Sequence, residues 1–69
     1  MPGMKLLREK ITESGMTLTS VSRKAGISRE TFYNKLSGKS EFTASEIVAI
    51  TDVLRLSKKE REEIFLSNR

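Results

Sequence analysis

Helix stops and helix starts alternate along this chain at intervals that leave room only for short, compactly packed helices. Gly15 is followed by Thr17, Gly26 by Ser28 and Gly38 by Thr43, and Ser57 opens a last segment. Glycine commonly stands just past a helix end, and Ser or Thr just before a helix start, where the hydroxyl accepts an orphaned backbone N–H. Between these marks, apolar residues recur at helical spacing. Met4, Leu7 and Ile11 predict a first helix over about Met4 to Ser14. Val21 and Ala25, with small Ser22 beside them, fall in a second, and Phe32 and Leu36 share one face of a third. Ile47, Ile50 and Leu54 form the inner stripe of a fourth, and a fifth ends in Ile64-Phe65-Leu66. The expectation is an all-α fold of five helices. Its core should hold Leu7, Ile11, Val21, Ala25, Ile27, Phe32, Leu36, Ile47, Ile50 and Leu54.

The caps agree with these boundaries. Thr43 with Glu46, and Ser57 with Glu60, have capping-box spacing, in which each box satisfies two otherwise orphaned donors. Met16 with Val21, Ile27 with Phe32 and Phe42 with Ile47 have the spacing of hydrophobic staples. Three staples in register across successive helices carry more weight than any one alone.

Composition narrows the function. Sixty-nine residues, 36% of them hydrophobic, supply one small core and so one domain over 1–69. Met1-Pro2-Gly3 is compatible with an extension ahead of a natural start at Met4. There is no Cys and no His, so disulfides, thiolate or imidazole metal sites and a histidine base are all excluded. An enzyme is not expected, nor is a cofactor or a bound metal. No apolar run reaches membrane-spanning length and no signal peptide is evident, so the expected location is the cytoplasm. The net charge is +4, and its placement is uneven. Arg23, Lys24, Arg29, Lys35 and Lys39 lie between Thr17 and Lys39 against one acid, Glu30, while the rest of the chain balances. A basic cluster of this kind is an electrostatic hint of a polyanionic partner.

In the same window two short helices meet at Gly26-Ile27-Ser28. A turn of about three or four residues, often containing glycine, sets two helices steeply across each other. Gly26 lacks a Cβ and can take the positive φ that reverses the chain. Ile27 plugs the turn into the core, and Ser28 caps the next helix. The segment resembles the helix-turn-helix of the lambda-repressor/Cro-like, or XRE-type, transcription regulators. The matching residues are Thr17, Val21, the small residue at 22, Gly26-Ile27-Ser28, Phe32 and Leu36-Ser37-Gly38-Lys39. Phe42-Thr43-Ala44-Ser45-Glu46-Ile47 and Leu54-Arg55-Leu56-Ser57 also look like the later helix starts of small phage-type members. Leu18 stands where such proteins commonly carry Gln, and Ser22 where they carry Ala.

The resemblance implies a sequence-specific regulator, repressor- or Cro-like, of double-stranded DNA, whose recognition helix, about Ser28 to Ser37, enters the major groove. It puts Ser28, Arg29, Glu30, Thr31, Tyr33 and Asn34 at or near the bases. Arg29 suits guanine O6/N7, Asn34 the adenine edge and Glu30 the cytosine amino group. Tyr33 either meets DNA or supports packing. Phosphate contacts are expected from Thr17, Thr19, Lys35, Ser37, Lys39 and Ser40, with backbone amides near Thr17 and Ser40 assisting.

Such regulators usually act as symmetric dimers on palindromic operators. Ile64, Phe65 and Leu66 are consecutive, so one helical face cannot bury all three; the surplus either forms a dimer contact or closes the core. Glu60, Glu62 and Glu63 read as a solvated helix face. A second class of function is a protein-interaction module on the same fold, of antitoxin or antirepressor type, because fold does not fix function.

Overall fold

A computed structural model describes residues 2–66. Among them are five helices and no strand: α1 (Pro2–Ser14), α2 (Leu18–Ala25), α3 (Arg29–Leu36), α4 (Ala44–Leu54) and α5 (Lys58–Phe65). Each of the last four starts immediately after the cap read from the sequence, with Thr17, Ser28, Thr43 and Ser57 in extended backbone. The first helix begins earlier than its apolar stripe suggests. Pro2 is its first helical residue, a position where a missing N–H costs nothing because no intrahelical acceptor exists there. Met1 lies outside the described residues.

Both expected capping boxes form, and a third joins Thr17 to Ser20. Phe42 makes contacts that the sequence did not suggest. Its ring stands edge-on to Phe32 and to Phe65, with centroids 5.8 Å away in each case. This loop residue therefore links α3 to α5, in the offset geometry that aromatic quadrupoles favour.

One core cluster holds the helices together. It contains Met4, Leu7 and Ile11 of α1, Val21 of α2, Ile27 of the turn, Phe32 and Leu36 of α3, Ile50 of α4 and Ile64 of α5. Ala25 and Leu54 are half-buried against it. Ile47 departs from expectation: it is only half-buried and is not among the residues packed on the cluster. Val53 packs there instead, so the residues of α4 that meet the core, Ile50, Val53 and Leu54, lie in its C-terminal half. In pairs, α1 packs on α5 and α4, and α2 packs on α3 and α4. Phe32 has no exposed surface, and burying a side chain of that size contributes roughly 1.5–3 kcal/mol.

Candidate nucleic-acid interface

The site is built from α2, a turn and α3. At the start of α2, Thr17 Oγ1 accepts the Ser20 N–H at 3.0 Å, and the Thr17 N–H donates to Ser20 Oγ at 3.1 Å. The Thr17 amide is thereby engaged within the protein. The first-turn amides of Leu18 and Thr19 have no intrahelical acceptor and are the ones left for an anion at this end. Ser22, only 2% exposed, turns its hydroxyl back to the Thr19 carbonyl at 2.8 Å. Small and internally satisfied, it adds no unpaired group to the buried face of α2.

Gly26 ends α2 at φ 76°, ψ 26°, in the left-handed region the sequence required of it. Its N–H donates to the Arg23 carbonyl and that of Ile27 to the Ser22 carbonyl, which closes the helix end. Ile27 is buried as the plug. Ser28 then caps α3: its Oγ accepts the Thr31 N–H at 3.2 Å and donates to Thr31 Oγ1 at 2.8 Å.

Because Phe32 and Leu36 are one turn apart and both buried, the other face of α3 is fixed outward. Glu30 and Tyr33 are exposed on it, and Thr31 and Asn34 are half-exposed; Arg29 shares the stripe of Phe32 and Leu36 but is exposed at the first position of the helix. Tyr33 keeps 44% of its surface in solvent, so its ring is not a core element. Beyond the helix, Lys39 donates its N–H to the Asn34 carbonyl at 3.0 Å, and the Ser37 hydroxyl donates to the same carbonyl at 2.8 Å. Lys39 and Ser40 are exposed. Ser40 lies in the loop ahead of the Thr43 cap, so its amide is not at a helix start as expected.

The charge of the segment is less concentrated than the sequence suggested. Lys35, expected at a phosphate, is engaged within the protein: its side chain is only 11% exposed, and its ammonium donates to Glu46 Oε1 at 2.6 Å. The ammonium also lies 5.9 Å from the Phe42 ring centroid. Burial pushes the Glu46 carboxyl up, but the hydrogen bond from Lys35 and the Thr43 N–H together outweigh it, leaving the carboxyl below its ordinary range. Arg23 and Lys24 occupy the last turn of α2, where a helix dipole favours cations. Arg29 and Lys39 remain exposed, without an ion pair among the described residues.

The residues considered for a dimer contact separate. Ile64 is 2% exposed and belongs to the core, so it is not available to a partner. Phe65 is half-buried beside Phe42, and Leu66 is 49% exposed. Among the described residues no group of His, Cys, Asp or Glu could hold a metal ion, and no helix is long and apolar enough to cross a membrane.

Ser20 is the residue of this site that sequence reasoning missed. Serine at the third helical position is a weaker box signal than the glutamates at 46 and 60, although the Thr17-to-Ser20 spacing is the same.

Comparison with protein-family models gives a match to the Cro/C1-type HTH DNA-binding domain over residues 6–60. No curated protein and no solved structure matches the chain. The matched span starts within α1 and ends within α5, and so takes in the caps, the Gly26 turn and the outward face of α3: the chain belongs to the Cro/C1-type helix-turn-helix DNA-binding family.

Proposed function

We propose that this protein is a sequence-specific transcription regulator, repressor- or Cro-like, that docks α3 in the major groove of double-stranded DNA. The observation that carries the reading is the division of α3 into two faces. Phe32 and Leu36 anchor it from behind, Glu30, Thr31, Tyr33 and Asn34 stand away from them, and Arg29 is exposed at the capped start of the helix. Arg29 pairs with guanine O6/N7, Asn34 with adenine, and Glu30 with a cytosine amino group. Thr17, Thr19, Ser37, Lys39 and Ser40 flank the helix and take the phosphates, which position the protein without reading sequence.

A symmetric dimer on a palindromic operator fits this mode, with exposed Leu66 and neighbouring Phe65 as its apolar contact. Sedimentation equilibrium of wild type and Leu66→Glu checks that part; a wild type that stays monomeric with and without operator DNA refutes it.

The decisive experiment is fluorescence anisotropy on a duplex selected from random sequence and on a scrambled one, at several salt concentrations. Arg29→Ala should lose roughly 1–3 kcal/mol on the selected duplex and relax discrimination at one base pair. Lys39→Ala should weaken both duplexes alike and lower the salt slope by about one unit. Equal losses for Arg29→Ala on both duplexes would make Arg29 a phosphate contact. A wild type that binds neither duplex at low salt would leave the protein-interaction alternative as the reading.

A further inference from the structure

Four of the six charged residues of α5 run against its own dipole; Glu60, in the first turn, does not. Lys58 and Lys59 occupy its first two positions, and Glu62 and Glu63 its last turn, although a helix favours anions at its N-terminus and cations at its C-terminus. Each lysine also precedes a glutamate by four residues, the less favourable order for such a pair. Among the described residues neither lysine forms an ion pair. Three residues before Lys58, Arg55 ends α4 at φ 54°. It is the one non-glycine with positive φ among the described residues, in a conformation where a Cβ crowds the carbonyl oxygen and glycine would be relaxed.

These two departures from local preference are independent, yet they fall within five residues. Each keeps an exposed cation where glycine or an acid would suit the fold better. A cation near the end of α4 gains from that helix's dipole, but this does not account for the lysines on the next helix. Features that cost stability without a structural return mark functional positions.

We propose that Arg55, Lys58 and Lys59 form a second phosphate-binding patch on the α4–α5 turn, which holds the DNA backbone beside the stretch read by α3. The proposal rests on the DNA-binding reading above. The order of charge on α5 gathers Lys58 and Lys59 at the turn and sends Glu62 and Glu63 to the far end, while Glu60, the acid of the first turn, is paired with Lys10, so a locally basic surface exists where the charges of the helix sum to zero. Glu60, on the same first turn, accepts a hydrogen bond from Lys10 of α1 at 2.6 Å. That bond ties the turn to the half of α1 that leads through Gly15 into Thr17, where the helix-turn-helix segment begins.

The test is a set of variants whose effects on stability and binding have opposite signs. Arg55→Gly, Lys58→Glu and Lys59→Glu should each melt at or above the wild-type temperature by circular dichroism. On the selected duplex, and equally on a longer one containing it, each should lower the slope of log affinity against log salt by about one unit for every phosphate it no longer neutralises. The losses should be the same on scrambled sequence, as binding to phosphate requires. If the triple variant keeps the wild-type slope while Arg29→Ala and Lys39→Ala weaken binding, the patch is refuted and the α3 reading stands. If the longer duplex alone shows the effect, the cations hold DNA beyond the neighbouring phosphates and a patch beside the α3 stretch is refuted. Variants that lose binding only by unfolding would make the three residues structural. A wild type that binds no duplex refutes both readings.

Discussion

The Lys35 ammonium and the Glu46 carboxylate meet at 2.6 Å, and the same carboxylate oxygen accepts the Thr43 N–H at 2.9 Å. One atom thus caps α4 and fastens it to α3. Lys35→Ala leaves that half-buried carboxylate without its cation and removes the lysine stem beside Phe42. The variant should lose about 1.5–3 kcal/mol, the range for hydrogen bonds to charged groups. Its DNA salt slope should match wild type at temperatures where both are folded. A lowered slope with unchanged melting would return Lys35 to the phosphate-binding residues.

Acid should loosen the fold through Glu46 and Glu60. The hydrogen bond from Lys10 lowers the Glu60 carboxyl below its ordinary value, helped by the Ser57 N–H. Burial works against the same shift in Glu46, where Lys35 and the Thr43 N–H prevail. For a depressed carboxyl, the stabilisation is fully present above the unfolded value of about 4.3 and is lost as pH falls through the lower folded value. Melting temperature should therefore drop below about pH 4. Glu46→Gln and Glu60→Gln should each start lower at neutral pH and show a shallower acid limb. Parallel wild-type and variant curves would refute the linkage.

Gly26 tests the turn through backbone conformation alone, because a Cβ built there meets nothing within 4 Å. The penalty for an alanine is then the left-handed conformation itself, about 1–2 kcal/mol. Asparagine should cost less than alanine and valine more. Urea midpoints give the order directly. An alanine variant as stable as wild type would contradict the positive φ.

Phe32→Ala should cost roughly 3–5 kcal/mol, enough to unfold much of a domain of this size. The ring has no exposed surface and stands edge-on to Phe42. A melt indistinguishable from wild type would show that the core is assembled differently.

Thr51 should respond in the other direction. Its Oγ1 is buried without a hydrogen-bond partner among the described residues, and such a hydroxyl costs about 1–3 kcal/mol in protein interiors. Thr51→Val keeps the shape and removes the unpaired group. It should raise the melting temperature by several degrees, since ~1 kcal/mol corresponds to about 4–8 °C in a domain of this length. An unchanged or lower melting temperature would mean that the hydroxyl is satisfied in solution.

What the sequence made legible was local. Caps and glycines act within a few residues, so the starts of α2 to α5 and the reversal at Gly26 could be placed without knowing what packs on what. The outward placement of Glu30 and Asn34 followed from Phe32 and Leu36 alone. The ion pair of Lys35 was not legible because its partner, Glu46, sits on another helix and already had an explained role as a cap. Ile64 was assigned jointly with Phe65 and Leu66 because three consecutive apolar residues do not reveal which one faces inward; the docking of α5 on α1 decides it. Ile47 had helical spacing but stands where α4 has not yet reached the core. Arg55 carries no sequence signal at all, since arginine is not a residue that announces left-handed backbone.

The bond between Lys10 and Glu60 also has a bearing on how the chain is made. Synthesis proceeds from the N-terminus, so Leu7 and Ile11 leave the ribosome long before the helix that packs over them, and Lys10 waits fifty residues for its carboxylate. Until then the nascent chain can form turns and isolated helices but cannot close its core. Folding is therefore expected late and all at once, after α5 clears the exit tunnel. A ribosome stalled within α4 should hold a chain that proteases still cut.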